Sequence, residues 1–144
     1  MSDVLSRHRR PGPLVITGGL VVAMIGAIAL NGAVAAIAHA GGASHDYVPL
    51  QVGTYSFFTI IGILAGAVGW AIIRARAANP RATLRILVPA VLVVSLVPDV
   101  LVGVAGQMAG TSWGAVAALM VMHVVVAAVA VPVYARILPL QSSR

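Results

Sequence analysis

Asp99 is the residue whose chemistry stands out, because it is a carboxylate inside a long apolar run. Burying such a group in hydrocarbon costs about 2.5–3.5 kcal/mol on insertion scales, so it marks a pathway, a proton relay or a structural pin. Asn31 and His123 fall in two other apolar runs, Asn31 at a depth similar to Asp99 and His123 close to mid-membrane, and Ser95 lies one turn before Asp99 on its own run. Asp99 and His123 together could bind or relay a proton, since burial draws carboxyl and imidazole titrations toward neutrality. Asn31 and Ser95 would orient them. The plain alternative is that Asp99 bonds His123 or Asn31 and pins the bundle, an interhelical bond worth roughly 0.6 kcal/mol. A third reading leaves Asp99 without a partner in a water-filled funnel.

Other chemistries find less support. A haem between two histidines would need His39 and His123, which differ in depth by nearly half a bilayer, so no cofactor is expected. His39, His45 and Asp46 share a loop, but their spacing matches no metal motif and no metal is expected. No Ser, His and Asp set, phosphate loop or Glu-based zinc motif appears, and no catalytic residue is assigned. Arg74, Arg76, Arg81 and Arg85 crowd one turn around Asn79-Pro80. They could contact anionic lipid headgroups, although topology alone also accounts for them.

The elements that must position these residues follow from composition. Of 144 residues 60% are hydrophobic and 8% charged, and the mean hydropathy is +1.04. Such a chain needs the bilayer as its solvent. All nine basic residues are Arg, all three acids are Asp, and Lys, Glu and Cys are absent. Without cysteine there is no disulfide, thiol redox chemistry, palmitoylation or thiolate metal site. The net charge of +6 comes from arginines beside apolar runs, which points to lipid phosphates as partners and away from nucleic acid.

Four apolar runs are long enough to span, at about 14–38, 54–73, 86–106 and 113–135, each near the ~20 residues a bilayer requires. The fold class expected is all-α, an integral membrane four-helix bundle. Residues 1–13 form a basic tail, 14–136 a single transmembrane domain, and 137–144 a short second tail. Ala38-His39-Ala40 would pass as a signal-peptidase site, but the first run far exceeds the usual ~7–15 residues and is expected to be retained. Pro98 frees the carbonyl of Val94, so the third helix should kink there. Arg7, Arg9 and Arg10, the four arginines of the 74–85 turn, and Arg136 and Arg144 all fall on one side of a four-span chain. The positive-inside rule then puts both termini in the cytoplasm, in a bacterial plasma membrane.

Lipid gives apolar helices no drive to associate, so small residues should mark the seams. On the second run Tyr55, Thr59, Gly62, Gly66 and Gly69 recur at steps of three and four, as do Ser95, Asp99, Gly103 and Gly106 on the third. Gly62, Gly66, Gly69, Gly103 and Gly106 are therefore expected to pack against neighbours, with the polar residues turned inward.

Ser95-Leu96-Val97-Pro98, then Met120-Val121-Met122-His123 and Val131-Pro132, resemble an uncharacterised four-helix membrane family of actinobacteria, a domain of unknown function, over about Pro13 to Arg136. The resemblance implies the fold and carries no activity. The function expected from the residues is a small, non-enzymatic membrane protein that acts through helix contacts, as accessory to another membrane protein or as a homo-oligomer. The rival is a minimal transporter or channel subunit in which Asp99 and His123 serve a proton or cationic substrate. An enzyme of lipid or quinone chemistry using His123 has the least support.

Overall fold

Proline and capping side chains set where the helices begin. The computed structural model describes residues 11–140 and contains α1 (Pro13–Ala40), a 3-10 turn (Val48–Leu50), α2 (Val52–Arg76), α3 (Pro80–Ser95), α4 (Val97–Ala105) and α5 (Trp113–Ile137). Pro13 opens α1, where its missing N–H and fixed φ cost nothing. Asn79 caps α3 by accepting from the Ala82 N–H at 3.1 Å, with Pro80 in the first helical position. Ser112 caps α5 in the same way through the Ala115 N–H, at 3.2 Å. The cap at Asn79 starts the third span well before residue 86. Arg81 and Arg85 thus lie on the first turns of α3, and only 77–79 separate it from Arg74 and Arg76 at the end of α2. The basic residues of positions 1–10 and the end of the chain from 141 lie outside the described residues.

Four helical spans result, of 28, 25, 26 and 25 residues, with α3 and α4 together making the third. Each is long and apolar enough to cross a bilayer, and no strand occurs among the described residues. The third span is interrupted at Leu96. There the backbone N–H reaches back three residues to Val93, at 3.2 Å, and Ser95 Oγ donates to the Leu92 carbonyl at 2.7 Å. Pro98, two residues on, has no N–H to offer Val94, so the helix restarts with Val97 and Pro98 in its first turn.

The bundle closes on small residues. Ala23, Ala27, Asn31 and Ala35 form a buried stripe on α1 at steps of four, and α1 and α5 pack along each other most extensively. At one end Trp70, Leu84, Tyr134, Ile137 and Leu138 fill the core around Ile63 and Ala67. The Trp70 indole N–H donates to the Leu138 carbonyl at 3.1 Å, tying the end of α5 to the end of α2. At the other end Tyr47 and Leu50, from the loop joining α1 and α2, sink between Ala35, Tyr55, Ala115, Ala118 and Met122. Gly110 of the α4–α5 loop meets this loop so closely that a Cβ there would stand 2.7 Å from the Ser44 Cβ. With φ at +72° the position also demands a backbone that L side chains rarely adopt.

Candidate intramembrane polar site

The interruption at Leu96 puts Asp99 in the first turn of α4, where the free N–H groups and the helix dipole favour a carboxylate. It is one of the few buried polar residues, and it faces α5, where Asp99 Oδ2 lies 3.1 Å from His123 Nδ1. The same ring nitrogen lies 3.0 Å from the Leu119 carbonyl, one turn back on α5. A single Nδ1–H cannot be aligned on both oxygens, and Asp99 Oδ2 has no aligned hydrogen bond. The two side chains therefore form a close pair in which one acceptor stays open, an arrangement that can take up a proton or a small hydrogen-bonding cation.

Tyr47 approaches this pair from the α1–α2 loop. Its side chain is wholly buried, and its hydroxyl makes no hydrogen bond. Burial first, and then the charge of Asp99, push the Tyr47 phenol up from its ordinary 10.0. Nothing in the sequence pattern marks Tyr47, because it stands in a loop without periodicity.

The four polar residues of the sequence reading do not form one cluster. Asn31 bonds across to α2 instead, its Nδ2 donating to Thr59 Oγ1 at 3.0 Å with both residues buried. Ser95 turns back onto its own helix. The polar interior thus divides into an α1–α2 pair, Asn31 and Thr59, and an α4–α5 pair, Asp99 and His123. Thr59 shares the expected face of α2 with Tyr55, and only its partner was not legible.

The glycines divide as well. A Cβ at Gly66 would stand 2.8 Å from Tyr134 Oη, and one at Gly103 would stand 3.0 Å from the Trp113 ring, so both are close approaches. Gly62 and Gly69 have open space where a Cβ would go. The buried stripe of α2 runs Tyr55, Thr59, Ile63, Ala67 and Trp70, in three steps of four and a last step of three, and turns away from Gly62 and Gly69. Gly106 serves a different need, ending α4 in the left-handed region with φ +60°.

His39 and His45 stack with ring centroids 4.1 Å apart, and His39 Nδ1 is 3.0 Å from the Ala43 carbonyl. No group of three His, Cys, Asp or Glu among the described residues is arranged to hold a metal ion. A groove of about 370 Å³ beside these rings, walled by Gly32, Ala35, Gln51 and Tyr55 among others, is lined by neither Asp99 nor His123. Arg74 is half-buried at the end of α2, and Arg76, Arg81 and Arg85 are exposed.

No curated protein matches the chain. No solved structure matches it either. A family described as being of unknown function, DUF6069, matches residues 10–139 and so takes in all four spans and both polar pairs. This small protein with four membrane-length helices belongs to the DUF6069 family of unknown function.

Proposed function

We propose that the protein is a minimal transporter or channel subunit in which the Asp99–His123 pair takes up a proton. The observation that carries this reading is the 3.1 Å approach of a buried carboxylate to an imidazole at the interruption of a membrane-length span. Interrupted helices recur where membrane proteins hold ions, because the break supplies free backbone groups and a dipole end at membrane depth. Pro98 bends the span and keeps the break in place. The arginine distribution supports placing both termini in the cytoplasm, with the α1–α2 and α4–α5 loops outside, in a bacterial plasma membrane. Arg74, Arg76, Arg81 and Arg85 would then meet anionic headgroups of the inner leaflet. Tight filling of the bundle by Ala, Val and Ile leaves a single chain little room for a path, so the working unit is an oligomer.

The accessory reading keeps one specific support. Only 6% of the most apolar window of the third span is buried within the chain, against 22% for each of the others. The span that carries Asp99 is thus the one most open to a second copy, another membrane protein or lipid.

The test is proton movement into vesicles containing the full chain under an imposed potential, followed with an enclosed pH dye. Wild-type protein should give a flux that Asp99→Asn abolishes while helix content by circular dichroism stays the same. Absence of flux from the wild type, or equal flux from the variant, overturns the transporter reading.

A further inference from the structure

Tyr47 and Asp99 each bury a polar atom that makes no aligned hydrogen bond, the phenol oxygen on one and, on the other, Oδ2, which lies 3.1 Å from His123 Nδ1. Tyr47 has no exposed surface and Asp99 is only 8% exposed. Buried polar atoms are nearly always hydrogen-bonded, so two that are not, in one part of the interior, point to something that both could bond. They do share a neighbourhood. Tyr47 lies in the cluster that contains Met122, with Val102 and Leu119 packed against it. Val102 is one turn on from Asp99, and Leu119 gives the carbonyl beside His123 Nδ1. The charge on Asp99 is also felt at the Tyr47 phenol. Yet the two oxygens form no direct hydrogen bond, and a polar contact beyond that reach is the setting in which a small molecule bridges.

We propose that Tyr47 Oη and Asp99 Oδ2 together hold one water-sized protic ligand, water or hydronium, with the α1–α2 loop as the cover of the site. This rests on the Asp99–His123 reading and extends it to a third residue and a direction of access. When Asp99 releases its proton, the proton passes from the carboxyl oxygen to the bridging water, which becomes hydronium. The hydronium then gives a proton to solvent at the loop-bearing end. No other bond breaks, and charge is conserved at each transfer. The titratable groups that bear on Asp99 are His123 from α5 and Tyr47 from the loop. Tyr47 is a positioning residue, since it holds the bridging molecule and need not itself ionise.

Infrared difference spectroscopy on the full chain in lipid, titrated with pH in ordinary and 18O-labelled water, tests this. Asp99→Asn assigns the carboxyl band. In the wild type that band should titrate, and a water O–H band sensitive to 18O should titrate with it. Tyr47→Phe, which removes one oxygen from a buried ring, should abolish the 18O-sensitive band and move the carboxyl midpoint by at least about tenfold in proton concentration, as losing a bond to a charged group does. A carboxyl band that titrates without any 18O-sensitive partner, or one untouched by Tyr47→Phe, overturns the bridging ligand and leaves the Asp99–His123 reading intact. A carboxyl band that fails to titrate between about pH 5 and 8, the range in which an acid beside a histidine would serve, overturns both.

Discussion

The hydroxyl of Tyr134 on α5 donates to the backbone carbonyl of Ile63 on α2, and its ring lies where Gly66 has no side chain. A main-chain carbonyl inside a helix already accepts from the residue four ahead, so Tyr134 uses its second lone pair. The contact requires α5 to come close to α2, and Gly66 permits that.

Gly66→Ala should therefore lower stability by about 1–3 kcal/mol, since its Cβ would stand 2.8 Å from the Tyr134 hydroxyl and 3.2 Å from Cε2. Gly62→Ala places a Cβ in open space and should be neutral or stabilising by up to about 1 kcal/mol through helix propensity. Unfolding in mixed detergent micelles compares the two. Equal losses at both glycines would mean that the Gly62-x-x-x-Gly66 pair acts as one packing motif.

The Asn31–Thr59 bond makes a second expectation. Thr59→Val keeps the shape of the side chain and strands the Asn31 amide in a buried site, which should cost about 1 kcal/mol. Combining it with Asn31→Leu should cost less than the sum of the two single changes, because no polar group is then left unpaired. Ser95→Ala should not alter this coupling, its hydroxyl being spent on Leu92 of its own helix. Additive single and double variants in the same unfolding assay would show that the pair contributes nothing.

Tyr47 gives a pH dependence with a fixed sign. Its phenol is pushed up from 10.0 in the folded chain, chiefly by burial, so the folded state holds its proton more tightly than the unfolded state. Well below pH 10.0 both states carry the proton and the group does not affect stability. As pH rises from there toward the folded value, the unfolded chain ionises first and stability falls. Thermal unfolding measured at rising alkaline pH should show this decline in the wild type. Tyr47→Phe should flatten part of it, and identical curves for the two proteins would show that the phenol is not buried as described.

Hydrophobic runs and their punctuation made the architecture legible in the sequence. A bilayer accepts only a chain whose backbone bonds are met internally, so four apolar runs of sufficient length had to become four helical spans. Pro13, Asn79-Pro80 and Ser112 carry local signals for helix starts, and the Asn79 cap begins the third span at Pro80, ahead of the apolar run that starts near residue 86. Asp99 and His123 also stood out, because charge in hydrocarbon is costly wherever the helices lie.

Which polar residue meets which was decided by tertiary structure alone. Depth along a span follows from sequence position, but rotation about the helix axis follows from the packing of all its neighbours. A difference of one residue, about 100°, separates a face through Gly62 and Gly69 from the buried one through Ile63, Ala67 and Trp70. That rotation gives Asn31 to Thr59 and leaves His123 for Asp99. Tyr47 reaches the interior only because a loop folds inward over the bundle, and no periodicity in the chain encodes that.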